Sequence, residues 1–238
     1  MSWPGLLVFS SVQPRVRQSA PAQAFVNSTL VAGAAALTLA ALSALVAYFG
    51  ARRERGGRTV SGAVATLAEV SYAIPGLVIS IAFILVYIRP LPVSGISLYN
   101  TLALIFLAYL TAYFAVGLKP VAAAAGQLDP ALDDAARVSG SGFARRLWRI
   151  HLPLLAPAAA SGSILVFLTA YNEVTVSALL WSRGNETIGT TIFNYEDGGY
   201  TTLAAAMSSI TVLATVILMT LLDRLGRRLP PGVVPWRL

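Results

Sequence analysis

The sequence predicts an all-α membrane protein with about five transmembrane helices, and three observations support this class. Apolar residues make up 56% of the 238 residues, and charged residues only 11%. An ordinary soluble domain carries about 25% charged residues, so this chain cannot cover a globule of its size with polar surface. Long apolar runs recur at lengths that can cross a bilayer. Basic residues cluster in alternate connections between these runs, as the cytoplasmic loops of membrane proteins do.

Five apolar runs reach the length of about 20 residues that a spanning helix needs. They lie at 29–50, 63–88, 99–118, 154–181 and 203–222. Residues 1–26 are predicted to be a peripheral tail, because their apolar patch is too short to span and positive charge follows it, unlike in a signal peptide. We predict one transmembrane domain over 27–225 and a short C-terminal tail over 226–238.

The basic residues predict the orientation of the chain in the membrane. Thirteen of the 17 lysines and arginines fall between the first and second spans, between the third and fourth spans, and after the fifth. This pattern places the N-terminus outside the cytoplasm and the C-terminus inside. The net charge of +7 is therefore a topology signal and does not indicate a nucleic-acid partner. The connection 182–202, which carries Glu186, Glu196 and Asp197, is predicted to be an exposed external loop.

Several kinds of chemistry are excluded by residue counts. The chain has no cysteine and one histidine, His151, which leaves no set of residues for a disulfide or a histidine-based metal cluster. Its only lysine, Lys119, is followed by proline, so the Gly-Lys-Ser/Thr phosphate-binding motif is absent. We predict no metal, no cofactor and no enzymatic activity of the chain itself.

A charged segment, residues 129–153, interrupts the apolar runs between the third and fourth spans. Asp129 and Pro130 predict a helix start, because they supply a side-chain acceptor and a proline at the first helical position. Gly140 predicts the end of that helix. A second short helix is predicted from Phe143 to Ile150, ended by Pro153. Such an arginine-rich segment either lies on anionic lipid or docks on a soluble partner.

The spacing within this segment resembles the "EAA" loop of bacterial ABC-importer permeases. In that loop an acidic residue and two alanines precede a glycine by four residues, and Ile-x-Leu-Pro follows ten residues later. The matching positions are Asp134, Ala135, Ala136, Gly140, Ile150, Leu152 and Pro153. The single departure is aspartate at a position where the family usually has glutamate. The resemblance implies a type I importer permease core, in which this loop, with Arg137, couples to a cytoplasmic ATP-binding-cassette ATPase subunit.

The resemblance extends over nearly the whole chain. Asn27-Ser28, Ile74-Pro75-Gly76 and the region 172–200 are similar to the C-terminal half of ferric-iron-type permeases. This similarity implies ferric iron as the solute, with thiamine, phosphonate or polyamine as alternatives. It also implies a multi-pass protein of the bacterial inner membrane that works with an extracytoplasmic substrate-binding protein. Many such permeases contain two homologous halves, so a chain with one half implies a homodimer or a separate second half.

Polar residues within the predicted spans are candidates for a translocation path, because an ionisable group facing lipid is unfavourable. Glu173 is predicted near the middle of the fourth span, beside Tyr171 and Asn172, and its alternative role is a structural hydrogen bond. Pro75 is predicted to kink the second span, in which Glu69 is interpreted as a structural pair. His151 is predicted to lie at the surface.

Two alternatives come from other functional classes. A secondary transporter could use Glu173 and Glu69 as ion-coupled carboxylates, and a structural membrane scaffold would not transport at all.

Overall fold

The structure, a computed structural model, describes residues 5–51, 55–90, 95–129, 131–227, 230 and 232–236. Every regular element within these ranges is a helix. In chain order the α-helices are α1 Gly5–Ala51, α2 Arg55–Ala73, α3 Gly76–Tyr87, α4 Leu102–Gly126, α5 Ala131–Val138, α6 Phe143–Arg146, α7 Leu152–Tyr171, α8 Ile188–Asp197 and α9 Thr201–Gly226. A π-helical turn, Leu147–His151, joins α6 to α7, and a 3-10 turn, Ser177–Leu179, follows α7.

Among the residues that the structure describes, four stretches of helix are long and apolar enough to cross a membrane. They are Pro21–Gly50, Leu102–Gly126, Phe143–Tyr171 and Thr201–Gly226, and a fifth crossing results if α2 and α3 are counted as one bent span. The predicted fold class, an all-α membrane protein with about five spans, is confirmed. The ends of several spans differ from the prediction.

The core is a bundle of α1, α4 and α7, with α2 packed against α1 and α4. Small residues lie where the three central helices cross, among them Ser43 in α1, Gly117 in α4 and Gly162 in α7. Small side chains let helix backbones approach closely, which is the usual source of packing energy between membrane helices. The helix α9 packs mainly against α8, so most of its apolar surface is exposed.

The first span begins earlier than predicted. Ala24 is fully buried in the core, and Gln23 Nε2 donates a hydrogen bond of 2.9 Å to Asn27 Oδ1. The helix therefore crosses the predicted boundary at residue 26 without a break. Two prolines of the predicted tail, Pro14 and Pro21, lie inside α1.

The second span is broken rather than kinked. The axes of α2 and α3 differ by 109° across Ile74 and Pro75. A residue before proline is disfavoured in the helical region, and Pro75 itself has extended backbone, with φ −56° and ψ 138°. Gly76 then approaches the segment after α7 so closely that a Cβ at this position would lie 2.5 Å from Thr175 Oγ1. The predicted kink is thus a corner held by packing.

The third span is longer than predicted, because α4 continues through Lys119 and Pro120 to Gly126. The proline removes one backbone donor and usually distorts a helix. Here the helix is held on both sides of it, since Leu118 and Val121 are both buried. Tertiary packing therefore overrides the local stop signal.

The contacts of each connection show at which of the two ends of the bundle it lies. At one end Phe143 stacks on Phe49 of α1, with ring centroids 6.1 Å apart. At the other end Asn27 contacts the connection 184–188, and Ser182 Oγ donates to the Asn100 carbonyl oxygen at 3.2 Å. The arginine-rich segment 129–153 and the acidic connection 182–202 therefore lie at opposite ends, as the predicted alternation requires. Which end faces the cytoplasm stays a prediction.

Candidate functional site

The segment 129–153, named here the coupling segment, begins with a capped helix. Asp129 Oδ1 accepts a hydrogen bond of 2.9 Å from the N–H of Ala131, the first residue of α5. This bond satisfies one of the donors that a helix start leaves without a backbone partner. Pro130, the predicted first helical residue, lies outside the described residues. The predicted helix start at Asp129 agrees with the structure.

The end of α5 is a Schellman motif centred on Gly140. The Gly140 N–H donates to the Arg137 carbonyl oxygen and the Ser141 N–H to the Ala136 carbonyl oxygen, each at 2.9 Å. These two bonds define the motif, which requires a left-handed residue, and Gly140 has φ +71°. The glycine predicted to end the helix therefore occupies a backbone conformation that other residues adopt only at a cost.

The second half of the coupling segment differs from the prediction. The predicted helix from Phe143 does not stop at Pro153 but continues as one helical stretch, Phe143–Tyr171. The π-helical turn just before the proline replaces regular pairing, since the Leu152 N–H donates to the Leu147 carbonyl oxygen five residues back. A wider turn relieves the crowding that proline causes in an α-helix. Pro153 thus lies in the first turn of α7, where its missing N–H matters least.

His151, which the sequence predicted at the surface, is buried, and so is Arg146. Each side chain is only 6% exposed. The His151 ring meets the Tyr48 ring of α1 edge to face, with centroids 4.6 Å apart, and Phe143 contacts Tyr48 in the same manner at 5.4 Å. Aromatic contacts therefore fix the coupling segment to the end of α1. The charge pattern of the sequence could not predict them, because they join residues far apart in the chain.

The surface of the coupling segment that remains exposed combines charged and apolar side chains. Asp134, Ala135, Arg137 and Gly140 are exposed, and Val138 is 91% exposed. Ala136 is buried, while Ile150 and Leu152 are half-buried. The residues of the motif are thus brought together at one end of the bundle. Three further apolar side chains of the segment, Leu132, Phe143 and Trp148, are 44%, 42% and 70% exposed, and several exposed apolar side chains are typical of a surface that a partner or lipid covers.

Glu173 does not lie in the middle of a span, because α7 ends at Tyr171. Its Oε1 accepts hydrogen bonds from Thr175 Oγ1 at 2.8 Å and from the Val176 N–H, and its Oε2 accepts one from the Ser177 N–H at 3.0 Å. The side chain is 6% exposed. The carboxylate thus holds together a tight turn over residues 173–177, named here the Glu173 turn. These bonds favour the structural alternative for Glu173.

The other predicted path residues face different neighbours. Tyr171 is buried and stacks on Phe167, with centroids 5.4 Å apart. Asn172 is exposed, and its Oδ1 accepts a hydrogen bond of 3.4 Å from Thr215 Oγ1 of α9. Pro75 is exposed at the α2–α3 corner. Their role in a path stays a prediction.

Several elements meet at the Glu173 turn. Ser80 Oγ of α3 donates a hydrogen bond of 2.6 Å to the Val176 carbonyl oxygen. A Cβ at Gly189, in the first turn of α8, would lie 2.3 Å from the Glu173 carbonyl oxygen. The turn is therefore the point at which α3, α7 and α8 are joined.

The connection 182–202 is more ordered than predicted, because it contains α8. Thr187 caps this helix in a reciprocal pair with Thr190, and Ile188 is almost fully buried. Asn27 Nδ2 donates to the carbonyl oxygens of Gly184 at 3.1 Å and Glu186 at 2.9 Å, and Ser28 Oγ accepts from the Ile188 N–H at 2.9 Å. The threonine cap followed by Ile188 and Ile192 is the signal in the sequence that could have predicted α8.

This arrangement of helices and coupling segment can be compared with known proteins. Residues 36–234 match the family described as "Binding-protein-dependent transport system inner membrane component". The chain belongs to this family. A putative ABC transporter permease protein of Streptomyces antibioticus (ORF1) is 30% identical over 207 residues, which cover 85% of this chain and 86% of that protein.

Other members of the binding-protein-dependent permease family are longer than this chain. The ferric transport system permease protein FbpB of Actinobacillus pleuropneumoniae is 25% identical over 199 residues, which are 83% of this chain but 28% of that protein. A putative 2-aminoethylphosphonate transport system permease protein, PhnV of Salmonella paratyphi A, is 25% identical over 158 residues, 66% of this chain and 58% of that protein. The chain thus spans only part of these two relatives.

The permease fold is also found among solved structures. The crystal structure of a bacterial alginate ABC transporter in complex with an alginate pentasaccharide-bound periplasmic protein contains a similar chain, with a TM-score of 0.71. The two chains are 15% identical, and the match covers 96% of this permease and 83% of the other chain. At this identity the likeness shows a shared fold.

Proposed function

We propose that the chain is the membrane-spanning permease subunit of a binding-protein-dependent ABC importer. One observation carries this proposal. The residues that match the family's coupling loop form a compact helical projection at the end of the bundle, fixed to α1 and continuous with α7. Such a projection is suited to receive motion from a soluble subunit and pass it to a spanning helix.

A cytoplasmic ATP-binding-cassette ATPase is the proposed partner at the coupling segment. The exposed Val138 supplies an apolar contact, while Asp134 and Arg137 supply charges that fix orientation. The chain itself has no Gly-Lys-Ser/Thr phosphate-binding motif, so the proposal assigns ATP hydrolysis to that separate subunit.

The opposite end of the bundle is the proposed docking side for an extracytoplasmic substrate-binding protein. This end carries the acidic residues Glu186, Glu196 and Asp197. The orientation follows from the basic residues of the other end, which place the N-terminus outside and the C-terminus in the cytoplasm. A second permease half, either a further copy of this chain or a separate chain, completes the transporter.

Ferric iron is the proposed solute, with thiamine, phosphonate and polyamine as the alternatives. The support comes from relatives named as ferric transport permeases, among which FbpB 2 of Haemophilus influenzae matches 92% of this chain. A relative named for 2-aminoethylphosphonate supports the phosphonate alternative.

The contacts of the two carboxylates favour ATP-driven transport over a secondary carrier. Glu173 is held by three hydrogen bonds within its own turn. Glu69 is paired with Lys119 at 3.2 Å. A carboxylate that binds and releases a coupling ion must exchange its partners during each cycle, whereas Glu173 is engaged by its own turn and Glu69 already lies beside a cation.

The proposal is tested by reconstituting the chain in vesicles with its candidate ATPase, binding protein and second half. We expect uptake that requires ATP and the binding protein, measured separately for ferric iron, 2-aminoethylphosphonate, thiamine and spermidine. A variant lacking residues 129–153 should lose uptake and ATPase co-purification together. Uptake driven by an ion gradient without ATP would support the secondary carrier instead.

A further inference from the structure

An ion pair lies on the exposed surface between two of the apolar spans. Lys119 Nζ of α4 is 3.2 Å from Glu69 Oε2 of α2, and the same ammonium lies 5.3 Å from the ring centroid of Tyr72. The pair is open rather than buried, since the side chains of Lys119 and Glu69 are 57% and 52% exposed. An exposed ion pair at this position needs an explanation, because lipid is the default surrounding of such helices.

Neither charge lies at a helix end from which it could simply reach the membrane surface. Lys119 precedes the last residue of α4, Gly126, by seven residues, which is about 10 Å along the axis. Glu69 lies four residues before the end of α2 at the corner with α3. Ionisable groups within spanning segments face protein or water, because contact with hydrocarbon is unfavourable. The surface that carries the pair is therefore expected to face water or protein.

The exposed surface of α2 is divided into two stripes with different chemistry. Glu69 belongs to a stripe of small and polar residues that recur at helical spacing: Gly62, Thr66, Glu69 and Ala73. The neighbouring stripe is apolar and also exposed: Ala63, Leu67 and Val70, followed by Ile74 just after the helix. Such a division is typical of a helix with one side toward lipid and the other toward a polar surrounding.

The exposed surface of α4 continues the polar stripe. The residues of α4 from 104 to 118 are buried or half-buried, and Lys119 is the first exposed position after them. Beyond it the exposed side chains are the small ones of Ala122 and Ala123. We name the surface formed by the polar stripe of α2 and these residues of α4 the Glu69–Lys119 face.

We propose that the Glu69–Lys119 face is a wall of the water-filled translocation path, on the side of the bundle that meets the second permease half. This inference rests on the proposed function, because it needs a path between two halves. The two charges compensate each other, so the wall is polar enough to hold water but carries no net charge. A charged solute can then pass it without being retained.

Cysteine labelling tests the proposal cleanly, because the chain contains no cysteine of its own. Thr66→Cys and Ala73→Cys report on the Glu69–Lys119 face, and Leu67→Cys and Val70→Cys are matched controls on the apolar stripe of the same helix. Each variant is assembled into the complete transporter in vesicles and exposed to a membrane-impermeant charged thiol reagent from either side. We expect modification at 66 and 73 to be at least about tenfold faster than at 67 and 70, since thiols react as thiolates in water. Equal rates at all four positions would overturn the proposal.

A charge test separates a wet wall from a contact covered by protein. The reporter is the cysteine of Thr66→Cys, and the quantity measured is the ratio of its reaction rates with a cationic and an anionic thiol reagent. Lys119→Gln leaves the negative charge of Glu69 without its partner, so this ratio should rise by several-fold. Glu69→Gln should lower it, and the double variant should restore the original ratio. A ratio unaffected by all three changes would show that the pair is shielded from the solution and would refute the wall.

The ATPase co-purification of the same variants provides the independent readout. If positions 66 and 73 still react faster than positions 67 and 70 but the ATPase does not co-purify, the proposed function is contradicted, whereas the water-filled wall is supported. If the ATPase co-purifies but all four positions react at the same rate, only the proposed wall is contradicted.

Discussion

Gly162 of α7 lies directly on the backbone of Gly117 of α4. A Cβ built at Gly162 would be 2.6 Å from the Gly117 carbonyl oxygen, a distance that real structures do not tolerate. At Gly117 a Cβ would lie 3.3 Å from Val166 and 3.5 Å from Leu39 of α1. The three central helices are therefore as close as glycine permits at this crossing.

We expect Gly162→Ala to destabilise the bundle, because the obstacle is a backbone atom that cannot rotate away. Overpacking of this kind costs about 1–3 kcal/mol. The midpoint of thermal unfolding in detergent should fall well below that of the wild type. Gly126→Ala is the matched control, since no atom lies within 4 Å of a Cβ there, and it should unfold at the wild-type midpoint. Equal midpoints for the two variants would show that α4 and α7 are not in contact as described.

Gly140→Val is expected to uncouple transport from ATP hydrolysis while leaving the spans folded. The left-handed backbone at φ +71° costs a residue with a side chain about 1–2 kcal/mol, so the end of α5 should change its direction. No atom lies within 4 Å of a Cβ at Gly140, so the variant meets no clash inside the bundle. The measurement is ATPase co-purification and substrate-stimulated hydrolysis in reconstituted vesicles.

Gly142→Val serves as its control, because Gly142 is equally open but has φ −68°, which any residue adopts. It should keep the complex and its stimulated turnover. If Gly140→Val also keeps both, the coupling segment is no more than a lipid-facing loop.

Glu173→Gln should be tolerated better than Glu173→Leu. Glutamine can still accept the bonds from Thr175 and Val176 but meets the Ser177 N–H with a second donor, whereas leucine leaves all three donors without an acceptor. A buried donor left without a partner costs about 1–3 kcal/mol, so leucine should lower yield and thermal stability the more strongly. Both variants are compared by expression and unfolding midpoint. A glutamine variant that is stable but inactive in transport would assign the charge itself a role in the path.

The two ends of the bundle should face opposite sides of the membrane. Reporter fusions at Arg55, Gly140 and Leu238 should be active in the cytoplasm, and a fusion at Asn185 should be active outside, because twelve of the 17 basic residues, without counting Lys119 inside α4, lie in the connections assigned to the cytoplasm. An external Gly140 would end the importer interpretation.

The sequence predicted those features that depend on local chemistry. The cap at Asp129, the helix end at Gly140 and the alternation of basic and acidic connections follow from side chains close to each other in the chain. Spans were found because length and apolarity are sufficient evidence for them.

Features decided by distant contacts were missed. The apolar run after Tyr171 continues to Trp181, and hydrophobicity alone cannot distinguish a helix from a compact turn held by Glu173. The β-branched run Val174 to Val176 was the available hint. The burial of His151 depends on Tyr48 of α1, and the passage of helix through Pro120 and Pro153 depends on packing that no local rule contains.

The continuity of the helical stretch from Phe143 to Tyr171 has a mechanical consequence. Its 29 residues form a rod about 43 Å long, whose one end belongs to the coupling segment and whose other end adjoins the Glu173 turn. If the coupling segment tilts this helix, we expect its other end to move together with the Glu173 turn, to which α3 and α8 are attached. The π-helical turn at Leu147–His151 is the only interruption of regular α-helix in this rod. We therefore expect this helix to bend at the π-helical turn, next to the aromatic contacts that join the coupling segment to α1.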